Sequence, residues 1–151
     1  MFTDTDKQTT LLNTLIATTI DSIKGYEESA RLIETERFRE LFRQRADERQ
    51  QVVQTLREEV RRLGGNPEDD GSFLGAAHQR FEDFKAAITG RDEKAIINEV
   101  ERGEDYIKAK YEAALESDTL SGEARAVVER AHQSVLKGHD QISQLKHSLE
   151  G

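Results

Sequence analysis

Apolar residues recur at three- and four-residue steps along most of the chain, a spacing that predicts amphipathic α-helices. The first such segment runs from about Thr10 to Ile33. Its apolar stripe consists of Leu12, Ile16, Ile20, Ile23, Ala30 and Ile33. A second segment follows from Phe38 to Leu63, where the glycine pair at 64 and 65 supplies a C-terminal stop. The first half of the chain therefore predicts two long helices.

The second half continues with the same helical period. A short helix is predicted from Phe73 to Ile88, ended by Gly90. Asp92 is a suitable N-cap for a third long helix, because its side chain can accept a hydrogen bond from the first helical turn. The fourth long helix is predicted over 123–150. Since no useful run has the two-residue period of a strand, the sequence predicts an all-α fold.

The lengths of the connections between the helices predict how the helices are arranged. Each long helix has one apolar stripe, and the four stripes have to be buried against one another. Short turns join the first helix to the second and the third to the fourth, so each pair forms an antiparallel hairpin. We predict one domain over residues 1–151, with a frayed or disordered N-terminus at 1–9. Its expected fold is a ferritin-like four-helix bundle with an additional short helix in the crossover between the second and third long helices.

Composition and charge narrow the function. The 151 residues include no cysteine, one proline, 30 acidic and 22 basic residues, for a formal net charge of −8. Absence of cysteine excludes disulfides, thiolate metal sites and a cysteine nucleophile. Net acidity, with basic residues interspersed among acidic ones, argues against nucleic-acid binding. No apolar run approaches the roughly 20 residues of a membrane span, and no signal-peptide pattern opens the chain, so we expect a cytoplasmic protein with no membrane partner.

Several polar residues fall on the apolar stripes, where burial of a charge is costly unless the charge is paired or binds a metal. Counting along the helices places them at comparable depth, so we predict one buried polar layer. Its members are Glu27, Arg45, Arg49, Glu104 and His139. Tyr26 and Tyr111 are candidates to hydrogen-bond the core carboxylates, although an aromatic side chain on a stripe is more commonly a packing residue.

A ferritin-like di-metal site requires a glutamate from each of two helices and a Glu-x-x-His motif from each of the other two. Glu27 and Glu104 can supply the two single carboxylates. The fourth helix carries Glu129 and His132 at the required spacing, but in the second helix Glu48 is followed three residues later by Gln51.

The pattern is thus incomplete, and Arg49 adds a permanent cation where a divalent ion would lie. We favour a metal-free ion-pair layer. The alternative is an iron or manganese site formed by Glu27, Glu104 and His139, with Glu48, Glu129 and His132 as candidates at its edge.

Longer stretches of the sequence resemble a known family. They are residues 11–16, Gly25-Tyr26-Glu27, Gly64-Gly65, residues 71–75 with His78, Glu101-Arg102-Gly103-Glu104-Asp105, and residues 111–115. Together they resemble a bacterial four-helix-bundle family of unknown function in the ferritin-like superfamily, over nearly the whole chain. The resemblance implies the fold, but it implies no activity.

Two hypotheses of function follow from different classes. The first is a non-enzymatic helical bundle with no cofactor, associated with stress and acting by self-association, with a dimer favoured. The second is a ferritin-like protein that binds iron or manganese, or acts as an oxidase, through Glu27, Glu104 and a histidine. A metal assay distinguishes the two.

Overall fold

The computed structural model describes residues 3–68 and 75–150 and contains no strand within them. Its helices are α1 (Asp4–Leu32), α2 (Glu36–Arg62), α3 (Gly75–Ile88), α4 (Glu93–Glu116) and α5 (Gly122–Glu150). The predicted all-α fold is confirmed, and so is the short helix between the second and third long ones. Residues 69–74 and the side chain of His78 lie outside the described part of the chain.

Four helices form the bundle and the fifth lies against it. Helix α1 packs on α2 and α4, while α5 packs on α4 and α2, so that each long helix contacts two others. Helix α3 contacts α1 and α4. Among the described residues, no helix has both the length and the apolar content needed to cross a membrane. The arrangement places the faces of all four long helices around one interior.

The N-terminus of α1 is capped. The backbone N–H of Asp6 donates to Thr3 Oγ1 at 3.0 Å, and the backbone N–H of Thr3 donates to Asp6 Oδ2 at 3.1 Å, which is a capping box. Gln8 is buried, and its Oε1 accepts a hydrogen bond from the backbone N–H of Ser121 at 3.0 Å. The prediction of a frayed segment at 1–9 is therefore wrong for residues 4–9, because a cap and a long-range contact fix the first turns of α1.

The other helix ends follow their local sequence. At the end of α2, Gly64 adopts a φ of 85°, a left-handed conformation that glycine reaches without strain from a side chain. At the start of α4, Asp92 accepts a hydrogen bond from the backbone N–H of Ala95 at 2.9 Å, as predicted for an N-cap. Gly64 thus marks the end of α2, and Asp92 marks the start of α4.

Candidate functional site: a buried ion pair

The interior of the bundle contains a salt bridge between α2 and α4. Arg49 donates from Nη1 to Glu104 Oε1 at 2.9 Å and from Nη2 to Glu104 Oε2 at 2.8 Å. Both side chains are only 2% exposed. This two-bond geometry matches the planar guanidinium to the planar carboxylate, which is the strongest form of such a pair.

Helix α1 supplies two further partners. Ser22 Oγ accepts a hydrogen bond from Arg49 Nη1 at 2.7 Å, and the Tyr26 hydroxyl donates to Glu104 Oε1 at 2.6 Å. The Arg49 guanidinium also lies 5.7 Å from the centroid of the Tyr26 ring. The carboxylate of Glu104 thus accepts three hydrogen bonds. A buried ion pair is tolerated only when its remaining polar groups are satisfied in this way.

Helix α5 contributes Gly138, which has no side chain, at the level of the ion pair. A Cβ atom built on Gly138 would lie 2.7 Å from Arg49 Nη2 and 3.5 Å from Arg45 Cδ. The first distance is too short for a real contact between a carbon and a nitrogen atom. Gly138 therefore provides the space that the guanidinium occupies, and all four bundle helices take part in the site.

Local electrostatics keep Arg49 charged and Tyr26 protonated near neutral pH. Burial works against the charge on Arg49, but Glu104 outweighs it and the pKa of Arg49 lies above its usual value. Burial, followed by the nearby Glu104 carboxylate, raises the pKa of Tyr26 well above its usual range. Tyr26 is consequently a hydrogen-bond donor at any physiological pH. A group that never changes its protonation state has no use as a general acid or base.

Tyr111 has a different partner from the one that the sequence suggested. Its hydroxyl lies 2.8 Å from Thr19 Oγ1, which itself donates to the Leu15 carbonyl at 2.7 Å, so Tyr111 is the donor to Thr19. Burial raises the pKa of Tyr111 to about 12. Of the two tyrosines considered from sequence, Tyr26 alone bonds the core carboxylate.

Arg45 is also buried, one turn before Arg49 on α2. Its guanidinium pairs with Glu48, whose side chain is 35% exposed. Glu48 therefore lies at the edge of the bundle, where the sequence had placed it. Arg45 and Arg49 each have a carboxylate partner, and the positive charge inside the bundle is balanced.

Glu27 is exposed, contrary to the predicted polar layer. The apolar positions Ile23 and Ala30 are seven residues apart, and the inward residue between them is either three or four positions after Ile23. The structure places Tyr26 inward, with 3% exposure, and Glu27 faces outward on the next position of the helix. Glu27 is therefore not part of the layer and cannot share a ligand with Glu104.

His139 is also outside the layer. The inward position of α5 is Gly138, and His139 lies at the rim, where its Nε2 is 2.7 Å from Asp105 Oδ1 and its Nδ1 is 3.3 Å from Asp140 Oδ1. Partial burial lowers the pKa of His139, but the hydrogen bonds to these two carboxylates outweigh burial, and the net effect raises it. His139 therefore forms a surface ion pair across α4 and α5.

The two remaining metal candidates lie apart from the ion pair. Glu129 is exposed on α5 and pairs with Arg125 at 3.1 Å. His132 Nε2 is buried between α4 and α5, 3.6 Å from Glu112 Oε2, and no described residue forms a hydrogen bond with it. Among the side chains that the structure describes, no three His, Asp or Glu residues come together in a way that could hold a metal ion.

Arg49, Glu104, Tyr26 and Gly138 thus define a buried polar centre inside a ferritin-like bundle. The structure is similar to that of Dps from Thermosynechococcus elongatus, at 17% sequence identity and a TM-score of 0.72 over 93% of this chain and 90% of that chain. It is also similar to a dodecameric thioferritin, the bacterioferritin-related protein from Bacteroides fragilis, at 16% identity and a TM-score of 0.54 over the same shares of the two chains.

A family profile described as a domain of unknown function, DUF2383, matches residues 7–117, and the chain belongs to this family. The predicted membership of a ferritin-like family of unknown function is confirmed. No curated protein matches the sequence.

The ferritin-like fold raises the question of a metal inside the bundle. The donor set does not fit one. Both oxygens of Glu104 accept hydrogen bonds from Arg49, and the guanidinium occupies the space opposite Gly138. A divalent cation at this level would meet a permanent positive charge in a low-dielectric interior.

Proposed function

We propose that this protein is a non-catalytic, metal-independent helical bundle that acts through association with copies of itself. The observation that carries the metal-independent part of the proposal is the Arg49–Glu104 pair, which joins α2 and α4 by two hydrogen bonds at 2.8 and 2.9 Å. In a ferritin-like bundle this interior is where a metal centre would supply both charge balance and cross-linking of helices. Here the ion pair performs both roles without a metal.

The chemistry of the surrounding groups supports a structural role. Tyr26 and Arg49 have pKa values displaced away from neutrality, so neither exchanges a proton near pH 7. Ser22 Oγ accepts from Arg49 and has no neighbouring base in the described contacts that would activate it as a nucleophile. This set of residues stabilises one arrangement of helices rather than a reaction.

Self-association is supported by the fold neighbours, one of which is described as dodecameric. The described surface has one large apolar side chain that is well exposed, Leu149 at 40%. An interface made by this surface is therefore polar, of the kind that non-obligate complexes use. We propose a homo-oligomer, with a dimer favoured, in the cytoplasm and connected with stress.

An iron- or manganese-handling protein is the second candidate, favoured by the similarity of fold to Dps and thioferritin. Protein purified without chelator from metal-supplemented medium distinguishes the two by elemental analysis. We expect less than stoichiometric metal and no increase in melting temperature on addition of Fe²⁺ or Mn²⁺. A bound ion at a hundredfold excess over its dissociation constant would instead stabilise the fold by about 2.7 kcal/mol.

Matched variants make the result interpretable. Stoichiometric metal that is lost in Glu104→Gln but kept in Glu27→Gln would refute the metal-independent proposal and locate the metal in the core. Native mass spectrometry of the same samples tests association. A monomer at all concentrations up to the millimolar range would refute self-association while leaving the metal result unchanged.

A further inference from the structure

A cavity of about 230 Å³ lies between α1, α3 and α4, and Ser22, Tyr26 and Glu104 of the ion-pair site form part of its wall. Its apolar walls are formed by Phe81 and Phe84 of α3 and by Val100 and Ile107 of α4. The volume corresponds to about eight waters at roughly 30 Å³ each, and it is below the roughly 300 Å³ of the smallest drug-sized pockets. The space therefore fits a small organic molecule.

Two glycines line this cavity. Gly103 lies in the middle of α4, and a Cβ atom built on it would meet no atom within 4 Å. Gly25 lies on α1, and a Cβ atom there would touch the edge of the Phe84 ring at 3.4 Å. The aromatic side chain of α3 thus closes against the backbone of α1, while the space beside α4 stays empty.

The charged groups around the cavity differ in whether they have partners. Arg80 stacks over the Tyr106 ring at 3.6 Å, and Arg102 lies 3.5 Å from Glu99. Asp21 of α1 also lines the cavity, but no hydrogen bond or salt bridge from the described residues reaches its carboxylate. Asp21 is therefore a wall carboxylate without a direct hydrogen bond, although the positive charges of Arg80 and Lys24 act on it.

We propose that this cavity binds a small ligand that carries an ammonium group on a flat apolar body, with the ammonium group paired to Asp21 and the body against the apolar walls of α3 and α4. The cavity borders the ion pair through Ser22, Tyr26 and Glu104, and the proposal adds a ligand class to the proposed function. Charge complementarity selects a cation, because the wall presents a carboxylate that no described side chain bonds directly. The aromatic rings favour a flat body.

Titration of Asp21 provides a second readout. Burial raises the pKa of Asp21 to about 7, although Arg80 and Lys24 act in the opposite direction. The charged groups that face the cavity or act on Asp21 are Lys24 from α1, Arg80 and Asp83 from α3, and Glu99, Arg102 and Glu104 from α4. A bound ammonium group favours the ionised carboxylate, so affinity should rise between pH 5.5 and pH 8.

Phenethylamine and phenylacetate are matched probes, since they share an aromatic body and differ in the sign of the charge. Isothermal titration calorimetry with the full chain at pH 8 should show phenethylamine binding at least about tenfold more tightly than phenylacetate, the ratio expected from one charge-assisted hydrogen bond. Asp21→Asn should lose about tenfold in amine affinity and its dependence on pH. Asp47→Asn, an exposed position on α2 outside the cavity, is the control and should change neither.

Gly103→Leu tests the location without altering charge, because its side chain would enter the open space. It should abolish amine binding while circular dichroism shows an intact helical fold. Equal or tighter binding of phenylacetate, no amine binding at millimolar concentration, or unchanged binding in Asp21→Asn would each overturn the proposal. None of these results bears on the metal content or the oligomeric state.

Discussion

Gly138 offers a direct test of the buried ion pair, because the same substitution at a second glycine should have the opposite effect. Gly138 lies within α5 and Gly103 within α4, and in each helix alanine is intrinsically better than glycine by roughly 0.5–1 kcal/mol. At Gly103 nothing lies within 4 Å of the added Cβ, so the full gain is expected. Gly103→Ala should raise the free energy of unfolding by roughly 0.5–1 kcal/mol.

At Gly138 the added methyl group would lie 2.7 Å from Arg49 Nη2. The end of an arginine side chain normally moves aside at little cost, but here Nη2 is bonded to Glu104 Oε2 at 2.8 Å and the guanidinium is buried. Displacement would lengthen that bond, and overpacking of a core costs about 1–3 kcal/mol. After subtraction of the helix gain, Gly138→Ala should destabilise the protein by about 1–2 kcal/mol.

Urea unfolding followed by circular dichroism measures both variants. The predicted difference of about 2 kcal/mol corresponds to a separation in melting temperature of about 4–8 °C for a domain of this size. In a background with Arg49→Met and Glu104→Leu, the obstruction is removed, and Gly138→Ala should become stabilising. If Gly138→Ala stabilises the unmodified protein as much as Gly103→Ala does, Arg49 is not opposite Gly138 and the reasoning fails.

Two further measurements test the charges. Glu104→Ala should destabilise the protein by about 3–5 kcal/mol, because it leaves the Arg49 guanidinium buried without its carboxylate. The double variant Arg49→Met with Glu104→Leu should lose much less stability. An unchanged urea midpoint in Glu104→Ala would show that the pair contributes nothing. The pKa of His139 is higher in the folded protein than in the unfolded chain, where it lies near 6.5. The stability that the pair with Asp105 supplies is therefore complete below pH 6.5, and it is lost as the pH rises through the pKa of the folded protein. The loss of stability in His139→Gln should therefore be larger at pH 5.5 than at pH 8.5, by less than about 1 kcal/mol because Asp105 is 64% exposed, and a loss independent of pH would contradict the pairing.

The helices and the bundle could be predicted from the sequence because each long segment carries one apolar stripe of helical period. The ends were less certain. The start of α1 was missed because Thr3 and Asp6 form their capping box among polar residues, ahead of the first apolar position. A search for hydrophobic periodicity does not detect such a cap, although Thr followed three residues later by an acidic residue is itself a recognisable signal.

Burial of the charged residues was predicted correctly on α2 and α4 and incorrectly on the other two helices. Between Val100 and Ile107 the inward residue is four positions on, at Glu104, as the apolar spacing predicted. Between Ile23 and Ala30 it is three positions on, at Tyr26. Two inward residues seven positions apart have one further inward residue between them. In an α-helix that residue can lie either three or four positions after the first. Thr19 is fully buried on α1, but its polar side chain gave no hydrophobic signal.

Gly138 shows which signal in the sequence points to the space around a buried arginine. A guanidinium is wide and planar, so when one helix places it in a bundle interior, the facing helix needs a small residue at the same level. On α5 the steps from Val128 to Ala131 and then to Val135 are three and four residues, and the next step of three reaches Gly138 rather than His139. The three- and four-residue spacing on α5 and the space that the Arg49 guanidinium needs both favour Gly138 as the inward residue. A histidine there would compete with Arg49 for one volume, which is why a residue without a side chain completes the polar layer.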